Sequence, residues 1–230
     1  MTFQEIRMGI EKIGLIIKNR NNRPRCKMLD TAMDFVRHSK VDGDYFEFGV
    51  FRGVTFQYAY HAAQLRDRKS MRFFALDSFQ GFADPKGNDT TGVIVKGTRN
   101  CSEEEFLKVL RSYGVNVKKV QTIPGWFEET LIGEGKKKTI EKIGERKIAI
   151  AYLDADLYEP TVLALDFLVD YLTDGTLLIF DNWFLFRGHP DRGERRAFEE
   201  WCAKHPELII TPYNNFGWHG ASFIVNLKLD

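Results

Sequence analysis

The chain has 230 residues, of which 43% are hydrophobic and 28% charged. That length fits one large domain whose core needs no covalent or metal staple. With 33 basic against 32 acidic residues the net charge is +1, which excludes a global field that draws nucleic acid or an anionic membrane surface.

The first stretch, Met1 to Lys18, alternates apolar residues such as Ile6, Ile10, Ile13 and Ile17 with charged ones. It lacks the apolar centre of a signal peptide, and no segment is apolar enough to span a bilayer. Residues 1–40 therefore read as a helical lid or dimer segment ahead of a domain over residues 41–230. Cys26, Cys101 and Cys202 are far apart and show no CxxC spacing. This argues against a zinc cluster or disulfide framework and points to a reducing cytoplasm.

From residue 45 onward, short apolar runs alternate with helical stretches. Strands are expected at Tyr45 to Val50, Arg72 to Asp77, Val117 to Ile123, Lys147 to Asp154 and Thr176 to Asp181. Helices are expected at Thr55 to Arg66, Pro160 to Leu172 and Arg195 to His205. Lys136-Lys137-Lys138 reads as a solvated helix face. Leu208 to Tyr213 and Ala221 to Leu227 close the chain as two strands around a turn-rich loop, Pro212 to Gly220. Alternation of this kind implies βαβ units and a mostly parallel sheet. Runs such as IAIAYL and TLLIF are apolar at nearly every position, as strands covered on both faces require. The last two strands lack a helix between them and can pair as an antiparallel hairpin. Ser78 to Cys101, with Gly81, Gly87, Gly92 and Gly97, interrupts the rhythm as a long loop, of the length that marks a functional lid or a disordered segment.

Acidic residues stand in or at the end of four strands: Glu47, Asp77, Asp154 and Asp181. In an open α/β sheet the ligand lies beyond the carboxyl ends of the strands, so Asp77, Asp154 and Asp181 are expected to share one rim. A lone strand-end Asp is more often a helix cap; three on one rim favour function. The stretch Glu47-Phe48-Gly49-Val50-Phe51-Arg52-Gly53-Val54-Thr55 joins a strand to a helix through two glycines. Its E-x-G-x-x-x-G spacing differs from the G-x-G-x-x-G that lets a pyrophosphate approach closely. The helix start near Thr55 offers N–H groups to a polar ligand. Asp77, followed by Ser78 and Phe79, lies one βαβ step on, and its carboxylate can accept two ribose hydroxyls. Together these motifs indicate an adenosine-type cofactor without choosing between S-adenosylmethionine (SAM) and NAD. Asp154, Asp181 and Asn182 offer oxygen only, a set suited to Mg²⁺, with a loop cap as the alternative.

The stretches YFEFGVFRGVT, FFALDSFQGF, IPGWFEETL, YLDADLYEPT, IFDNW and RRAFEEW run in order from Tyr45 to Trp201. In them the chain resembles the macrocin O-methyltransferase family, which methylates sugar hydroxyls on natural products. The resemblance implies a Rossmann-like class I methyltransferase: a doubly wound, mostly parallel seven-stranded sheet with a C-terminal antiparallel hairpin. It further implies SAM as donor, a divalent metal and a homodimer, and it brings Gly125, Trp126 and Phe127 near the cofactor. The cofactor set is then Glu47, Gly49, Val50, Phe51, Gly53, Thr55, Asp77, Ser78, Phe79, Gly125, Trp126, Phe127 and Asp154. The metal set is Asp154, Asp181 and Asn182.

One departure stands out. The family shows two adjacent Asp residues where this chain has Asp181-Asn182. The Asp-Asn form is similar to the metal site of catechol O-methyltransferases, but Leu157 takes the position of their lysine base. Asp154 is therefore the expected general base, with Asp156 in reserve. Tyr158, His189 and His219 are candidate substrate contacts or ordinary packing residues. The expected reaction is methyl transfer to a hydroxyl of a sugar or glycosylated small molecule. A nicotinamide-dependent oxidoreductase and a SAM- or nucleotide-binding protein without catalysis are the alternatives.

Overall fold

The computed structural model describes residues 23–228. Residues 1–22, which hold most of the expected lid or dimer segment, lie outside the described residues. The chain runs α1 (Arg23–His38), β1 (Asp44–Phe48), α2 (Val54–Leu65), β2 (Phe73–Asp77), α3 (Glu103–Ser112), β3 (Val120–Pro124) and α4 (Phe127–Thr130). It continues with α5 (Gly133–Ile143), β4 (Ile148–Leu153), α6 (Tyr158–Leu168), β5 (Thr176–Phe180), α7 (Gly193–Lys204), β6 (Leu208–Phe216) and β7 (Gly220–Leu227). No helix among the described residues is long and apolar enough to cross a membrane.

The seven strands form one sheet in the order β3-β2-β1-β4-β5-β7-β6. The pairs from β3 through β5 are parallel, and β7 runs antiparallel to both β5 and β6. Successive strand residues face opposite sides, so each central strand feeds two cores. Tyr45, Phe73, Ile150, Tyr152 and Ile179 pack with α1, α2 and α3. Phe46, Phe48, Phe74, Leu153 and Phe180 pack with α6 and α7. All ten are fully buried, which accounts for the uninterrupted apolar runs. Helix α1 buries Cys26, Leu29, Met33 and Val36 along one helical stripe, so residues 23–38 belong to the same core as the sheet.

Three boundaries differ by three residues or more from those expected. Val117–Lys119 is a 3-10 turn rather than strand, because the Asn116 side chain accepts from the Lys118 N–H. The helix expected to reach Leu172 gives way to a 3-10 turn at Val169–Tyr171. Strand β6 continues to Phe216 through an irregularity between Pro212 and Asn214, which leaves only residues 217–219 as the turn. Asn214 and Asn215 are tolerated there because β6 is an exposed edge strand. All three cysteines are free.

Candidate functional site

The strand order reverses between β1 and β4, and β1 continues towards β2 while β4 continues towards β5. Such a switch point opens a crevice at the carboxyl ends of the strands. A cavity of about 920 Å³ lies there, with Gly49, Asp77 and Asp154 on its wall. Cavities of this size hold small organic ligands.

Gly49 follows β1 at φ +85°, and a Cβ placed on it would lie 2.2 Å from the Asp154 carbonyl oxygen. Only glycine allows the β1 and β4 ends to meet so closely. The loop after Gly49 is tied across to β2. Asp77 accepts from the Val50 and Phe51 N–H groups at 2.7 and 3.2 Å through one oxygen and from the Phe79 N–H at 2.7 Å through the other. A carboxylate has about four acceptor sites, so one is left for a ligand. Asp77 as placed is chiefly the organiser of the loop, whereas the sequence reading assigns both oxygens to a ribose.

Glu47 is fully buried and is not among the residues that line the cavity. Its carboxyl accepts from the Thr55 hydroxyl at 2.6 Å and from the Tyr45 hydroxyl. Burial pushes its pKa up to about 8, against the pull of those two hydrogen bonds. Val50, Gly53, Thr55, Phe79 and Gly125 are likewise not among the lining residues. Gly53 takes a left-handed conformation at the start of α2 with φ +69°, against the Phe106 ring. Phe51, Ser78, Trp126 and Phe127 do line the cavity, as do Asp154 and Asp156.

The other half of the wall holds one residue expected from the sequence, the candidate substrate contact Tyr158. That half comes from the loop between β2 and α3 and from α6: Phe82, Lys86, Arg99, Tyr158, Val162 and Leu163. The loop is anchored rather than loose. Asp89, buried within it, accepts from the Tyr158 N–H at 2.7 Å and the Gly193 N–H at 2.9 Å, so one carboxylate caps the starts of α6 and α7. Tyr158 reaches the cavity and also bonds Glu200 at 2.6 Å. His189 is exposed, and His219 is buried against the Asp181 carbonyl at 2.6 Å; neither lines the cavity.

Asp154 follows β4, and Asp156 follows it at φ +60°. Burial and neighbouring carboxylates raise both carboxyl pKa values, that of Asp156 to about 7. Glu194 at the start of α7 holds this turn. Its carboxylate, fully buried, accepts from the Ala155, Asp156 and Asn182 N–H groups at 3.2, 3.3 and 2.8 Å. It therefore clamps the β4 end to the β5 end. Glu194→Ala would strand three backbone donors, each worth about 1–3 kcal/mol when unsatisfied. Entry of water and relief of a buried carboxyl offset part of this, so a net loss of about 3 kcal/mol in a denaturant melt is expected. A loss under about 0.5 kcal/mol would contradict the clamp.

The three residues expected to hold a metal direct their side chains to protein partners. Asp181 receives a two-pronged ion pair from Arg25, Nε to Oδ1 at 2.7 Å and Nη2 to Oδ2 at 2.6 Å, and its Oδ1 also accepts from the Tyr152 hydroxyl. Asn182 turns its amide nitrogen, not its oxygen, to Asp154 Oδ1 at 2.7 Å. Among the described residues no group of three or more His, Cys, Asp or Glu is arranged to hold a metal ion. As placed, Asp154, Asp181 and Asn182 do not fit Mg²⁺, because Asp181 and Asn182 direct their bonds to protein partners.

Strand order, the reversed β7 and the switch-point cavity define a Rossmann-like methyltransferase architecture. Two solved methyltransferases share it. The O-methyltransferase NovP superimposes with a TM-score of 0.69 at 24% identity, over 87% of this chain and 79% of that one. The calicheamicin methyltransferase CalS11 gives a TM-score of 0.72 at 20% identity, over 97% and 93%. The family model for macrocin-O-methyltransferase (TylF) matches residues 20–223, and the chain belongs to that family.

Two curated relatives were found by sequence. One is the 8-demethyl-8-(2,3-dimethoxy-alpha-L-rhamnosyl)-tetracenomycin-C 4'-O-methyltransferase of Streptomyces olivaceus, 28% identical over 69% of this chain and 60% of that protein. The other is the demethyldecarbamoylnovobiocin O-methyltransferase of Streptomyces niveus, 29% identical over 84% and 72%. The match to the first thus spans less than two thirds of that relative's length.

Proposed function

We propose that the chain is a SAM-dependent O-methyltransferase acting on a hydroxyl of a sugar or glycosylated small molecule. The observation that carries this reading is the pair Asp154 and Asp156 on the wall of the switch-point cavity, with Asp77 on the same wall. Bound SAM supplies an electrophilic methyl group. Gly49, Phe51, Asp77, Ser78 and Trp126 are the wall residues that would hold it, and Asp77 keeps one acceptor site for a ribose hydroxyl.

Asp154 is the general base. Its Oδ1 is engaged by Asn182, which leaves Oδ2 to take the proton of the acceptor hydroxyl. A carboxyl held above its ordinary pKa by burial is a stronger base when ionised, and general-base action follows that strength. Asp156, raised to about 7, stands in reserve. The loop and α6 bring rings, apolar side chains and the cations Lys86 and Arg99 to the acceptor side, a mixture suited to a sugar on an apolar scaffold. The relatives' names, which describe O-methylation of a rhamnosyl-bearing compound and of a demethyldecarbamoylnovobiocin, support that acceptor class. The residues expected to hold a divalent cation are engaged elsewhere, and none of these roles draws on one.

The test uses SAM labelled in its methyl group with a panel of deoxysugar glycosides, nucleotide-linked sugars and catechol. Label should pass to a sugar hydroxyl. Label passing to catechol alone, or to none of the panel, would count against the acceptor class.

A further inference from the structure

We infer that Arg25 supplies the positive charge that a divalent cation would bring to Asp154, Asp181 and Asn182, so that this chain transfers methyl without a metal. The inference rests on the O-methyltransferase reading above. Asp181 is buried, with a side chain 1% exposed, and both its oxygens are taken by the planar guanidinium fork of Arg25. Such a fork matches the edge of a carboxylate that a cation would otherwise approach. Arg25 is not on a swinging loop. It lies in the first turn of α1, whose Met28, Leu29 and Met33 are locked in the core, so the ion pair is held by a packed element.

Asn182 completes the argument. Its amide nitrogen donates to Asp154 Oδ1. With Asp154 ionised, as a base must be, the reverse orientation would set two acceptors against each other, so the network assigns the flip. Asn in place of Asp removes one negative charge, and Arg25 adds one positive charge. Together these two residues make the charge at the strand ends less negative by two units, through protein groups alone. Mg²⁺ demands a near-octahedral shell of oxygens. To bind here it would have to break the guanidinium fork, rotate the amide and sit beside the partly buried Arg25 cation. Glu194 cannot serve as a ligand instead, because its carboxylate holds three backbone N–H groups. Arg25 does not line the cavity; it is a positioning residue that acts through Asp181 and the adjoining strand ends.

The experiment is calorimetric titration of Mg²⁺ into chelator-treated wild type, Arg25→Lys and Arg25→Met, with S-adenosylhomocysteine titrated into the same samples. Wild type and Arg25→Lys should show no saturable Mg²⁺ uptake, and methyl transfer by wild type should survive EDTA. Arg25→Met frees Asp181 and should gain Mg²⁺ binding together with a Mg²⁺-dependent rise in Tm. Adding Asn182→Asp should tighten that binding by about tenfold or more, since ligand charge sets affinity at such sites. Saturable Mg²⁺ binding by wild type, or EDTA-abolished transfer that Mg²⁺ restores, would overturn the inference. So would a folded Arg25→Met that gains nothing. Should Arg25→Met fail to fold, the wild-type and Arg25→Lys titrations decide the matter alone. Failure to bind S-adenosylhomocysteine would sink the methyltransferase reading instead, and the Mg²⁺ result is read independently of it.

Discussion

Asp154→Ala should lower the methyl-transfer rate by about 10²–10⁴-fold, the usual worth of a positioned general base, while S-adenosylhomocysteine still binds. Asp154 lies on the cavity wall, with Oδ1 pinned by Asn182 at 2.7 Å. Pinning one oxygen fixes the direction of the other. Losing the carboxylate removes the proton acceptor without touching the Gly49 loop or the Asp77 bonds that shape the donor half of the cavity. The loss should therefore appear in kcat rather than in donor affinity. Asp154→Asn is the shape-preserving control and should lose comparably, because an amide cannot accept the proton. Asp156→Asn should cost less. Wild-type turnover by either Asp154 variant, or a larger loss at Asp156 than at Asp154, would reassign the base.

Glu47→Gln should become progressively more stable than wild type as pH rises from about 5 to about 9, by up to about 5 kcal/mol. Glu47 is fully buried, and burial carries its pKa from the ordinary 4.5 to about 8. The folded state therefore holds this proton more tightly than the unfolded chain. Stability from the protonated carboxyl is fully present below about 4.5 and is lost as pH climbs through about 8. Gln carries no titrating proton yet can still meet the Tyr45 and Thr55 hydroxyls. Comparing the two proteins cancels the titration of Asp154, Asp156 and Glu194, which both share. Chemical denaturation at several pH values reads the difference. A gap that stays flat with pH would show that Glu47 keeps an ordinary pKa in the fold.

The strands and their acids are legible in the sequence because both signals are local. An apolar run such as Ile148–Leu153 ending in Asp154 declares a covered strand with a group at its carboxyl end. The E-x-G-x-x-x-G stretch declares a turn that needs glycine, and Gly49 with its 2.2 Å approach to the Asp154 carbonyl shows why. What escapes is long-range. Glu194 is one acidic residue in a charged helix until the fold sets its carboxylate beneath two strand ends. Arg25 is one of several basic residues near position 25, and only the packing of α1 brings it onto Asp181. The loop half of the cavity is set by Asp89, whose two partners lie 69 and 104 residues away. Helix α3 does carry a local signal, the Ser102–Glu105 capping box, which the alternation of apolar runs does not use. For Glu47 and Thr55 residue type and position are readable, but direction is not. Both look like ligand contacts and here bond each other, neither one lining the cavity.

The central claim is that the switch-point cavity takes SAM. Calorimetric titration with S-adenosylhomocysteine, in the presence and absence of Mg²⁺ and with NAD⁺ as control, tests it most directly. The account predicts saturable binding of S-adenosylhomocysteine, unchanged by Mg²⁺, and none of NAD⁺. Absence of binding, or preference for NAD⁺, would contradict it and leave the fold without this chemistry.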